Sequence, residues 1–216
     1  MSNEKFKKAI EDGFNLFNAT IPALKFGREG DEAGHIFVLG QDAVITTREL
    51  SICPAVAFAS TTMGQKGVEL AFYRGGIYTG RFWAVNTVEA GYAKWDESLI
   101  NFHVQSISGF GHGVAYCESF SLDLDKPRLV IHVKNTTTVL TTIKILKEIQ
   151  KDDPNLKVDF NRPFDQYITG FMTGYFRLLM EKRGCPPETV KKIQGREIQC
   201  QAQGKEHCIL EAGILE

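Results

Sequence analysis

The sequence contains no run approaching the roughly 18 uninterrupted apolar residues of a membrane-spanning helix, so no membrane span is expected. Its first residues, Met1 to Glu11, are polar and charged, without the apolar core or cleavage pattern of a secretory signal, which points to the cytoplasm. Net charge is nearly absent: the formal value of -1, with no basic stripe, argues against nucleic acid and anionic membrane as partners. Five cysteines are an odd number for a disulfide framework, and without a signal they read as reduced thiols. There is no Gly-x-Ser-x-Gly elbow, no Walker loop and no Gly-x-Gly-x-x-Gly between a strand and a helix, so no nucleotide cofactor is expected. Gly109-x-Gly111-x-Gly113 resembles a nucleotide loop only superficially. Internal repeats and low-complexity tracts are also missing.

What is present is the composition of an ordinary globular chain, 43% hydrophobic and 24% charged over 216 residues. A chain of this length buries roughly 70% of its unfolded surface, so folding requires neither disulfide nor metal. Phe6, Ile10, Phe14 and Phe17 recur at helical spacing and predict a first helix over 3–19, closed by Pro22. His35 to Ile45 alternates like two short strands turning at Gly40-Gln41-Asp42. Cys53 to Met63 fits a buried helix. The stretch from Ala71 to Trp83, rich in glycine and aromatic residues, is expected to pass from one helix to another through its glycines. A helical stripe over Tyr92 to Val104 ends at the breaker Gly109–Gly113. Two strands follow, Val114–Leu124 and Leu129–Lys134, joined as a hairpin.

A helix over Tyr167 to Lys182 carries Gly170 and Gly174 on nearly one side, where small residues admit another element closely. The closing strands are expected at Glu197–Ala202 and His207–Ala212. Lys151 to Asn161 is linker-like but too short to separate domains. The fold class is therefore α+β, a single domain with an antiparallel sheet and helices packed on one face. Residues 1–70 form an integral N-terminal helix and strands, and 71–216 form the main body.

The chemistry centres on Glu197-x2-Cys200-x7-Cys208. Two thiolates and a carboxylate are a soft start for zinc, or alternatively iron, with sulfur distances near ~2.3 Å. Glu197 and Cys200 would face apart on a regular strand, so a bulge is needed to bring them together. The alternative is two buried cysteines acting as small hydrophobes beside a solvated glutamate. Of the histidines, His103 falls in a helical stripe and reads as core. His112 lies in a glycine loop, His132 on the outward phase of a strand, and His207, next to Cys208, would face away from it.

Gly170-x3-Gly174-Tyr175, followed by Arg196-Glu197-x2-Cys200-x3-Gly204-x3-Cys208, is similar to the closing signature of the 4-vinyl-reductase domain family. Gly109-Phe110-Gly111 and the strand ending Val133-Lys134-Asn135-Thr136 also fit, so the resemblance spans roughly residues 71 to 212. It implies a homodimeric cytosolic sensor module enclosing a small hydrophobic ligand in an apolar cavity and reporting to a partner protein. Two other readings are an accessory of tetrapyrrole (vinyl) reduction and a structural subunit with a buried acyl chain. In the family's phenol sensors the motif supplies zinc ligands, which carry over to Glu197, Cys200 and Cys208. Where many relatives have Pro-x-Cys, this chain has Pro163-Phe164-Asp165, so Asp165 takes the fourth place, with Cys185 as its rival. The pocket implied by the same comparison is lined by Phe110, Ile131, Val133, Phe171 and Tyr175, with Trp83, Trp95, Tyr92 and His103 further out.

Overall fold

The structure, a computed structural model, describes residues 2–20, 25–26, 36–38, 41–43 and 48–215. Helix α1 (Ser2–Thr20) matches the predicted first helix in extent but not in its buried face. Phe6, Ala9 and Gly13 are buried, with Leu16 packed beside them, whereas Ile10, Phe14 and Phe17 are exposed. The reason is Gly13: it lies against Ser108 and Gly109, so close that a methyl group there would collide with Ser108. Close approach of two backbones selects the face with small residues over the face with more phenylalanines.

Three short strands, β1 (Lys25–Phe26), β2 (Ile36–Val38) and β3 (Gln41–Ala43), pair antiparallel in that order. Gln41 and Asp42, expected in the turn, belong to β3 and face Val38 and Phe37. Helix α2 (Arg48–Glu89) then runs through residue 70 and is broken only at Gly64, whose φ of 66° and ψ of -168° fit glycine and little else. The expected helix change between 71 and 83 is corrected: Gly75, Gly76 and Gly80 all lie within the helix.

Two of those glycines are the seam of the domain. Helix α2 lies along α5 (Gln166–Lys182), and the fit is reciprocal. A methyl at Gly76 or Gly80 would strike the backbone of α5 at Tyr167 or Phe171. A methyl at Gly170 or Gly174 would strike the carbonyls of Tyr73 or Ile77. Helix α5 is buried nearly all round, and its interior threonines solve their own polar problem. The Thr169 hydroxyl donates to the Asp165 carbonyl and that of Thr173 to the Thr169 carbonyl, each at 2.7 Å.

The other side of α5 rests on a four-stranded antiparallel sheet of order β4-β5-β7-β6. Its strands are β4 (Val114–Ser121), β5 (Arg128–Lys134), β6 (Ile193–Gln199) and β7 (Cys208–Ile214). Leu129, Ile131 and Val133 of β5 are fully buried, each worth about 1.5–3 kcal/mol of transfer free energy. Helix α3 (Glu97–Gly109) starts later than its apolar stripe because the Asp96 carboxylate accepts the Ser98 N–H at 2.8 Å and caps it there. Two helices not expected from the sequence complete the α+β domain, α4 (Thr137–Asp152) and α6 (Pro187–Lys192). No described helix is long and apolar enough to cross a membrane.

Candidate functional site

The Glu197–Cys200–Cys208 motif is assembled by a fault in the sheet. Register between β6 and β7 shifts between Glu197 and Gln199, and the chain then leaves the strand at Cys200 for a 3-10 turn, Gln201–Gln203. Among the described residues, Glu197, Cys200 and Cys208 form a group that could hold a metal ion, with donor atoms all within 4.8 Å of one another. Their sulfurs are 3.8 Å apart. A tetrahedral ion about 2.3 Å from each sulfur requires about 3.8 Å between them, so the thiol pair has the span such an ion needs.

Backbone amides point at both sulfurs: Phe164 and Ala202 donate to Cys200 Sγ at 3.4 Å each, and Gln201 to Cys208 Sγ at 3.3 Å. Asp165 stands beside the trio. Its N–H donates to Glu197 Oε2 at 2.7 Å, yet its own carboxylate makes no well-formed hydrogen bond, only loose contacts with the Thr136 hydroxyl and the Ile168 amide, and Glu197 Oε1 is left without a close donor. Cys185 is at the far end of α5, where its thiol donates to the Leu124 carbonyl at 3.2 Å.

The electrostatics of the cluster follow from crowding four acids in a dry place. Burial, then the charge of Cys200, pushes Asp165 up to about 8. Burial, followed by Asp165 and Cys200, pushes Glu197 up to about 10. The Cys208 thiol donates to Cys200 and, with the Phe164 and Ala202 amides, draws Cys200 down to about 6, while Cys208 itself is driven far up. Protons hold the group together in the absence of a cation; a bound divalent ion would displace them.

Two residues after Asp165, α5 enters the wall of a cavity of about 110 Å³. Thr79 and Trp83 of α2, Ile107 and Phe110 of the α3 terminus, and Tyr167 and Phe171 of α5 surround it. The Trp83 indole meets Phe110 edge to face at 5.6 Å, and its buried Nε1–H has no acceptor in the protein. Thus Trp83, Phe110 and Phe171, singled out in the sequence, come together here. His103 lies behind the Phe171 wall, 5.5 Å from that ring and 4.2 Å from the ring of fully buried Tyr175. Ile131 and Val133 lie in the core, outside this cavity. Trp95, before α3, sits under Lys182 at the opposite end of α5. The sequence reading missed Thr79, Ile107 and Tyr167, although Thr79 is one turn before Trp83, Ile107 three residues before Phe110, and Tyr167 one turn before Phe171.

On the sheet face turned away from α5, His132 and His207 come together, a pairing that their separate positions in the sequence did not suggest. His132 Nδ1 is 2.9 Å from His207 Nε2 and 3.0 Å from the Tyr116 hydroxyl, and its Nε2 is 3.1 Å from Glu118. Phe6 of α1 covers Tyr116 and His207. This group lies on the face opposite the trio.

His103 makes a pH prediction. Burial lowers it from 6.5 to about 3, so the folded chain keeps it neutral while the unfolded chain protonates it. The unfolded state then binds the extra proton, and the His103 contribution to stability falls as pH drops from about 6.5 toward 3. Across that range the denaturant midpoint of His103→Phe should rise relative to wild type as pH falls; a pH-independent difference between the two would remove His103 from this role.

No protein-family profile matches the chain, and no curated protein sequence matches it. Among solved structures the chain is similar to the phenol-responsive sensory domain of the transcription activator PoxR, in complex with phenol. The TM-score is 0.66 at 16% identity, covering 94% of this chain and 89% of that one. At this identity the likeness shows the fold alone.

Proposed function

We propose that this chain is a sensor domain for a small aromatic molecule bearing an oxygen acceptor, with a structural zinc site at the root of the helix that walls its pocket. The observation that carries the reading is the Trp83 Nε1–H, buried and without an acceptor, in a residue that lines the cavity. A buried donor left unmade costs about 1–3 kcal/mol, which a ligand oxygen recovers. A cavity of about 110 Å³ is close in size to the roughly 150 Å³ apolar cavity known to take up benzene. The rest of the wall is apolar and aromatic, as ligand sites generally are.

The metal reading rests on the poorly satisfied oxygens of Asp165 and Glu197 beside a thiol pair of fitting span. Cys200, Cys208 and Glu197 would hold the ion, with the adjacent Asp165, whose carboxylate lies outside that close group of donors, as the fourth ligand. Zinc in such a closed site supplies folding energy rather than reactivity. Its place matters because Asp165 both bonds Glu197 and begins α5, so the ion would fix the helix that presents Tyr167 and Phe171 to the ligand.

Titration calorimetry with phenol tests the ligand reading. Phenol is expected to bind the wild type one to one, and Trp83→Phe to weaken it about tenfold or more. Benzene, which lacks the acceptor, should bind both proteins alike. Absence of phenol binding, or an equal loss for benzene, would refute the assigned role of Trp83.

A further inference from the structure

The 110 Å³ cavity has a larger neighbour. A second cavity of about 380 Å³ shares Thr79, His112 and Tyr167 with the first, so among the described residues these three stand between the two. Its α2 wall is Val68, Ala71, Phe72 and Gly75, leading to Thr79: positions i, i+3, i+4, i+7 and i+11, one stripe of the helix. Along this stripe Ala71 and Gly75 carry little or no side chain, flanked by Val68 and the larger Phe72. An added Cβ at Gly75 would meet nothing within 4 Å, while at Gly76, one residue on, it would strike α5. The same helix is therefore packed to contact on one side and left open on the next. Ala71 and Gly75 are exposed, which places the mouth of this cavity between them.

We infer that the ligand is bipartite: an aromatic head with an oxygen acceptor in the smaller cavity, joined to a longer apolar tail that passes Thr79, His112 and Tyr167 and lies along Val68, Ala71 and Gly75. The inference rests on the ligand reading above and narrows its chemical class, from single-ring phenols to phenols carrying an alkyl tail. A single ring occupies the smaller cavity and leaves the larger unused. Each methylene of a tail removed from water in the second cavity contributes to affinity until the cavity is filled or the tail emerges at the mouth.

The test is calorimetric titration of the full chain with phenol and with 4-hexylphenol, in the wild type and in Gly75→Leu. Leucine at 75 projects into the second cavity without touching the first, and helix propensity favours it over glycine. Ala71→Leu, one turn earlier on the same stripe, is the second variant. In the wild type, 4-hexylphenol is expected to bind at least about tenfold tighter than phenol. Both variants should erase that advantage while leaving phenol within about twofold of wild type. A tail that brings no gain in the wild type, or survives both variants undiminished, overturns the bipartite ligand and leaves the single-ring reading standing. Equal weakening of both probes also overturns it, because the larger cavity would then be only a passage. If neither probe binds the wild type, the ligand reading and the inference fail together.

Discussion

On the proposed metal site, Cys200→Ser will abolish zinc binding and so forfeit about 4 kcal/mol of the stability that zinc would add at a free concentration a thousandfold above its Kd. Cys200 is the hub of the cluster: it accepts two backbone amides and the Cys208 thiol, and its charge raises Asp165 and Glu197. Serine offers a hard oxygen with a far higher pKa in place of a thiolate, so a soft three-donor set loses its strongest member.

The metal-free protein adds a signed control. Asp165 and Glu197 hold protons in the folded chain up to about 8 and about 10, whereas in the unfolded chain both ionise near their ordinary values. Above those ordinary values the folded state binds more protons at these two carboxyls, so their contribution to the stability of the metal-free protein falls as pH rises from about 4 to 8. Zinc reverses the trend, because ligation requires the deprotonated forms and strengthens with pH. Denaturant unfolding with and without chelator, paired with elemental analysis, reads both effects. A wild type that carries no metal after zinc loading, and a serine variant of undiminished stability, would end the metal reading.

The sequence disclosed this cluster by spacing but not its geometry. Glu197 and Cys200 sit three apart on what should be opposite strand faces, and only a register shift at Ile198 brings their donors within reach. The histidine pair was hidden for a related reason. His132 and His207 are 75 residues apart, and their meeting depends on the antiparallel register that sets Val133 opposite Cys208. Helix α1 was legible in extent and misleading in orientation, since Phe14 and Phe17 advertise a core face while Ala9 and Gly13 make it. Helix α4 escaped because its first half, Thr137 to Leu146, is crowded with threonine and other β-branched residues that favour strands. The cavity was half legible: its aromatic walls stand out in the sequence, whereas Thr79 and Ile107 acquire meaning only once α2, α3 and α5 are placed.

The glycines of α2 and α5 carry the remaining large effect: Gly174→Ala will destabilise the domain by about 2 kcal/mol. Two terms compete. Alanine improves on glycine in a helix by about 1 kcal/mol. Against this, its methyl strikes the Ile77 carbonyl, and backbone cannot turn aside as a side chain can, so overpacking costs about 3 kcal/mol. Gly75→Ala isolates the first term, because its methyl meets open space, and should stabilise by about 1 kcal/mol. Denaturant midpoints of the two variants should therefore move in opposite directions. A stabilising Gly174→Ala would mean that α2 and α5 can part at little cost. The same displacement reaches the ligand, because α2 contributes Thr79 and Trp83 to the cavity and α5 contributes Tyr167 and Phe171. Separation of the helices widens the space between those pairs, so Gly174→Ala should weaken phenol binding even where the variant stays folded. The glycine seam then sets the width of the pocket as well as the stability of the fold.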